Sequence, residues 1–151
     1  MTIALATAAN NPIANFTRSM SPQMHARCLQ SHADYPLVRA LRAGPSGRYN
    51  CHGMTFASRR TGIWNAATVQ QILIDDGYRS VPVRSVIGGD IIIYHAKSGD
   101  IEHSGVVLEP PVPDHLNMPL VCSKWGMSGE MIHWAHYCPY ETDFIRYYRI
   151  S

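Results

Sequence analysis

Apolar residues recur at helical spacing through the first half of the chain and gather into β-type runs in the second. Ser21-Pro22-Gln23-Met24-His25 reads as a helix start, with Ser21 as N-cap and Pro22 at the first helical position, where its missing N–H costs nothing. That helix is expected to reach about His32. Leu37 to Leu41 reads as another turn, and Gly44-Pro45-Ser46-Gly47 breaks the chain ahead of Cys51. Residues 51 to about 61 form the next expected helix, closed by Thr61-Gly62, with Arg59 and Arg60 on its solvated side. A further helix from about Asn65 to Asp76 carries Val69, Ile72 and Leu73 at helical spacing and stops at Gly77.

From Gly88-Gly89 onward the pattern changes to strands. Asp90 to Tyr94 is a β-branched run, and His103 to Leu108 is its expected antiparallel neighbour across the turn Lys97-Ser98-Gly99-Asp100. Pro110-Pro111-Val112-Pro113 forces a loop. Leu120–Trp125, Met131–Trp134 and Phe144–Ile150 complete a sheet of about four to five strands. Helices first and antiparallel strands second is an α+β order, with the helices packed on one face of the sheet. No repeat or linker divides the 151 residues, so one domain spanning 1–151 is expected, its core at about 48–150.

Composition narrows the function classes. With 46% hydrophobic and 16% charged residues the chain is that of a globular protein. The net charge of +2 is scattered rather than striped, which argues against a nucleic-acid partner. No stretch approaches the roughly 20 apolar residues of a membrane span, so no membrane partner is expected. The first ten residues lack the basic start of a Sec-type signal. The compartment stays unknown: cytoplasmic, or exported by a dedicated secretion system or as a piece of a longer polypeptide. Cys28, Cys51, Cys122 and Cys138 include no Cys-x-x-Cys pair, and an even count alone does not establish disulfides. A zinc site could use Cys138, His133 and His136 with Cys122 or His103, but the spacing matches no common structural site, and no metal or organic cofactor is expected.

Chemistry concentrates at Asn50-Cys51-His52-Gly53. A thiol where a Gly-, Pro- and Ser-rich loop turns into a helix has the helix N–H groups to stabilise its thiolate, and Cys51 is therefore expected to be the most reactive of the four cysteines. A Cys–His hydrolase also needs a base, an orienting group for that base and donors for the oxyanion. His103, opening a strand expected to be central, is the candidate base. His52 follows the thiol directly and is read as a structural or substrate-side residue. Cys28 and Cys122 are read as core.

These residues resemble the NlpC-type and CHAP-type branches of the papain-like cysteine peptidases and amidases. The likeness rests on Asn50-Cys51-His52-Gly53 opening a helix, Gly89-Asp90 leading a hydrophobic strand, and His103-Ser104-Gly105-Val106-Val107 as the next strand. It covers about residues 48 to 135. It implies a papain-like fold and a catalytic Cys51–His103 pair, with a polar residue on a following strand orienting His103. Two departures stand out: Asn50 and His52 flank the Cys where Asp and Ser are usual, and a Pro-rich insertion follows Glu109. The insertion leaves the third position open. Ser123 or Lys124 fits one strand count and His133 the other, with Glu130 a lesser candidate; His133 is preferred because an imidazole is the NlpC-type orienter.

The resulting expectation is a cysteine amidase or peptidase that cleaves an amide through a Cys51 thioester, with Cys51, His103 and His133 as its site. The resemblance implies a peptide or amide substrate such as peptidoglycan, and suits a bacterial toxin or effector, for which an immunity or inhibitor protein is a conceivable partner. The same pair could serve a transamidase or protein deamidase, and a non-catalytic papain-like binding module is the alternative from another class.

Overall fold

The computed structural model describes residues 1–151. In chain order its elements are α1 (Pro22–Ala33), β1 (Ala40–Ala43), α2 (Cys51–Phe56), α3 (Ala66–Asp75), β2 (Tyr78–Val81), β3 (Ile91–His95), β4 (Ile101–Val112), β5 (Met118–Lys124), β6 (Glu130–Trp134) and β7 (Ile145–Ile150). All seven strands join one sheet in the order β1-β6-β5-β4-β3-β7-β2, and every pairing is antiparallel.

This β-rich architecture corrects the expected papain-like α+β fold of N-terminal helices on four to five strands. Two strands were missed because they are four-residue edge strands: β1 lies where a turn was expected, and β2 follows Gly77 directly. Their polar or exposed positions carry no β-type run, and only pairing with β6 and β7 makes them strands. The helical part is smaller than expected. Although Ser21 caps α1 by accepting from the Met24 N–H at 3.2 Å, none of its residues is buried, so α1 adds nothing to the core.

Local chemistry explains the two helices that do pack. Asn50 Oδ1 accepts from the Gly53 N–H at 2.9 Å and the Ile63 N–H at 3.0 Å, while its Nδ2 donates to the Ile63 carbonyl at 2.6 Å. The cap thus ties the start of α2 to the strap that follows it. Gly53 is required there, because a Cβ would overlap the Thr61 carbonyl oxygen. The helix ends five residues before the expected Thr61, where Ser58 and Arg59 adopt left-handed backbone with φ of 50° and 64°. In α3, Asn65 caps the Ala67 N–H, and Val69, Ile72 and Leu73 form the buried stripe the spacing predicts.

Strand alternation builds a core on each face of the sheet. Ile91 and Ile93 face α3 together with Ile101, Ile63, Ala57 and, from outside the expected core span, Ile13. Ile92, Tyr94, Val107, Val121 and Tyr147 face the other way, where Ala135, Cys138 and Tyr140 of the segment between β6 and β7 cover them. Burial on both faces contributes about 1.5–3 kcal/mol for each fully buried Ile or Val.

One carboxylate crosses these layers. Glu130 is 0% exposed and accepts from Tyr49 at 2.5 Å, Arg59 Nε at 2.6 Å and Arg42 at 2.9 Å, fastening β6 to β1, to the end of α2 and to the residue before the Asn50 cap. Burial works to raise its pKa, but hydrogen bonds from Arg59 and Tyr49, with the charges of Arg59 and Arg42, outweigh it and hold the group below the usual Glu value. Because the folded pKa is depressed, the stabilisation is present above the unfolded value of about 4.3 and fades as pH falls through the folded one. Both arginines are more than a third exposed and partly screened, so Glu130→Ala is expected to cost about 3 kcal/mol, at the low end for a broken buried pair. Urea unfolding at pH 7 checks this, and the gap between wild type and variant should narrow as pH falls below 4.

Candidate functional site

Cys51 is the first residue of α2, and α2 rests on β4 and β5. Its side chain is 6% exposed. Burial pushes the thiol up to about 11, although the neighbouring Ser104 and the backbone of His52 and Cys51 work to lower it. Desolvation thus outweighs the effect of the helix start. The resting thiol is therefore protonated at neutral pH, contrary to the acidified thiol expected from sequence.

Ser104, rather than His103, faces the sulfur. Adjacent strand residues point to opposite faces, and Ser104 pairs with Ile93 on the helix side while His103 pairs with Tyr94 on the other. Ser104 Oγ also lies 2.7 Å from His52 Nδ1 and donates to Thr55 Oγ1 at 3.1 Å, and Thr55 in turn donates to the Cys51 carbonyl at 2.9 Å. Since Ser104 has one hydroxyl hydrogen and spends it on Thr55, His52 Nδ1 must be the donor in its pair. His52 is neutral in that tautomer, and burial lowers its pKa to about 4. A thiolate at Cys51 would draw the Ser104 hydroxyl hydrogen to itself and leave Thr55 without it.

His103 is 0% exposed and lies flat on Tyr140, with ring centroids 3.7 Å apart and planes 8° apart; Tyr94 flanks it at 5.2 Å. Neither ring nitrogen has a hydrogen-bond partner, sulfur included, so no Cys51–His103 pair is formed here. Burial lowers its pKa well below the usual imidazole value, and the neighbouring His52 and His133 push in the same direction.

The third-position candidates are occupied elsewhere. His133 Nδ1 donates to the Trp134 carbonyl at 2.9 Å, which leaves Nε2 to accept from Ser123 Oγ at 2.7 Å, and Ser123 accepts from Trp125 Nε1 at 3.1 Å. Both His133 nitrogens are thus engaged away from His103, and burial holds this imidazole neutral with a pKa of about 4. Lys124 Nζ donates to the Ser46 and Gly126 carbonyls, and Glu130 belongs to the arginine brace. No three His, Cys, Asp or Glu side chains converge as a metal site, so the zinc reading finds no ligand set. All four cysteines are free. Five surface cavities of about 230–670 Å³ are lined without Cys51, His103 or His133.

Sequence reasoning missed Ser104, Thr55 and Tyr140. Strand parity was the available signal for Ser104, since two adjacent residues of a strand cannot both face one thiol. Nothing in the sequence marks Tyr140, which the chain brings back from the far side of β6. No protein-family model, curated protein or solved structure matches the chain, so the likeness to the NlpC and CHAP branches rests on its residues alone.

The burial of Cys51 sets its expected reactivity. Iodoacetamide labelling of Cys51, followed by peptide mass spectrometry across pH, should be slow at neutral pH and rise toward an apparent pKa of about 11. A profile with an apparent pKa below the free-cysteine value of about 8.5 would contradict the burial of this thiol.

Proposed function

We propose that the protein is a cysteine amidase or peptidase in a closed state, with Cys51 as nucleophile and His103 as base. The placement of Cys51 carries this reading: it opens α2, whose first-turn N–H groups can hold the oxyanion of a tetrahedral intermediate, and α2 packs on β4 beside Ser104. A second support is His103, whose two ring nitrogens are buried with no partner. An orphaned buried imidazole is costly, and a proton-transfer role accounts for keeping one.

Catalysis in this scheme requires the closed arrangement to loosen. Tyr140 withdraws from the His103 ring, and β4 turns at His103 and Ser104 so that the imidazole, which otherwise faces the opposite side of the sheet, takes the place of the Ser104 hydroxyl beside the sulfur. The thiol proton passes to His103 as Sγ attacks the amide carbon. His103 then gives that proton to the leaving amine, and the C–N bond breaks to leave a thioester. Water, deprotonated by His103, attacks the thioester and releases the acid and the free thiol. His133 would act as the positioning residue only by exchanging its Ser123 or Trp134 partner for His103. By the resemblance, the substrate class is a peptide amide, with peptidoglycan stem peptides and cross-links first to be tried.

One set of observations favours a second reading, a non-catalytic binding module. The thiol is nearly inaccessible, protonated at neutral pH and not joined to His103. Turnover separates the two readings. Incubation with purified peptidoglycan fragments, read by chromatography and mass spectrometry, should show amide cleavage that Cys51→Ala and His103→Ala each reduce by about a thousandfold or more. No cleavage by the wild type, or cleavage retained in Cys51→Ala, overturns the enzyme assignment.

The closing role given to Tyr140 makes a separate expectation. Tyr140→Ala should speed iodoacetamide labelling of Cys51 at pH 7 by about tenfold, as exposure lowers the thiol pKa by about one unit. Near-ultraviolet circular dichroism checks that the fold persists, and unchanged labelling in a folded variant removes Tyr140 from this role.

A further inference from the structure

Three arginines line one surface cavity with no acid beside them. The cavity, about 670 Å³, is bounded by Arg18, Arg48, Arg60 and His25, by the Ser21-Pro22 start of α1, and by the Pro45-to-Arg48 segment, and no Asp or Glu lies on its wall. None of the three guanidinium groups is in an ion pair; the pairs in the protein use Arg39, Arg42, Arg59 and Arg149.

Two of the arginines are held in place. The Arg18 guanidinium lies 3.9 Å from the Trp64 ring centroid, and its backbone N–H donates to the Gly47 carbonyl at 2.7 Å, a close approach that only glycine permits because a Cβ on Gly47 would overlap the Arg18 carbonyl. Arg60 Nε donates to the Ala57 carbonyl at 3.3 Å. Two of the three like charges are therefore held beside a shared volume, and Arg48 stands free to turn toward it. The first turn of α1 has no acidic side chain, so its N-terminal partial charge adds to theirs.

We propose that this cavity binds a polyanion bearing two or more phosphoryl charges. A single carboxylate would leave most of the positive charge uncompensated, whereas a diphosphate presents several oxygens to three guanidinium forks at once. The volume lies in the range of small-molecule sites, and Met1, Ile3, Met20 and Pro45 provide apolar wall for an organic remainder. The site is distinct from Cys51, which does not line it, and its occupancy does not depend on catalysis there.

Isothermal titration calorimetry with sodium pyrophosphate tests this on the full chain. Saturable binding is expected, weakening with added salt, and reduced about tenfold in Arg48→Gln, a loss equal to about one charge-assisted hydrogen bond. Arg48 makes no side-chain hydrogen bond and Arg84 lies outside the cavity, so Arg48→Gln should fold normally and Arg84→Gln should bind as wild type does. Absence of saturable binding, undiminished binding in both Arg48→Gln and Arg60→Gln, or citrate binding as tightly as pyrophosphate would each overturn the proposal.

Discussion

The carboxamide of Asn50 is the fixture on which the candidate site depends. Its three hydrogen bonds satisfy the first turn of α2 and both polar backbone groups of Ile63, so the residue after it, Cys51, has one place to be. No other side chain is both acceptor and donor at that point, and aspartate could supply only the first function. The Tyr49–Glu130 bond fastens the preceding residue to β6, so the thiol is gripped from the strap on one side and from the sheet on the other. Position of the thiol is thus a consequence of polar contacts in the loop. The six-residue helix is too short to hold it alone.

What that rigidity does not fix is the protonation of the site. The sulfur lies at the start of α2 and a neutral imidazole lies one residue from Ser104 on the opposite face of β4, and both groups are dry. Dehydration raises the thiol and lowers the imidazole, so the neutral pair is favoured over the ion pair until water or substrate enters. At His103 the side chain most directly responsible is Tyr140, whose ring covers the imidazole face from a turn-rich segment between β6 and β7.

The parts of the molecule legible in the sequence were those with local causes. Ser21, Asn65 and Gly77 marked helix ends through side-chain caps and a left-handed glycine, and the β-branched run at Ile91–Ile93 marked a buried strand. The five longer strands could be read for the same reason, except that β4 runs through Pro110 and Pro111 to Val112, where a loop was expected. Edge strands β1 and β2 could not, since their conformation comes from partners at the far end of the chain: Ala40 opposite Ile132, and Tyr78 opposite Ile150. The early end of α2 was hidden likewise, because Arg59 turns left-handed where it meets Glu130, a residue 71 positions away. At the site, Cys51 at a helix start was legible, while the engagement of His133 with Ser123 and the cover of Tyr140 over His103 depend on tertiary packing. His103 and Ser104 are the instructive pair: the sequence singled out the histidine, and strand parity gives the contact with sulfur to its neighbour.

The central claim is that Cys51 can be acylated with His103 as the base, and an acylating probe reads this without knowledge of the natural substrate. The measurement is intact-protein and peptide mass spectrometry after brief exposure to p-nitrophenyl acetate, with release of p-nitrophenol followed in parallel. The account predicts one acetyl group, labile to hydroxylamine, on Cys51, forming faster in Tyr140→Ala and absent in His103→Ala. Acetylation spread over Cys28, Cys122 and Cys138, or a Cys51 adduct that forms equally well without His103, would contradict it.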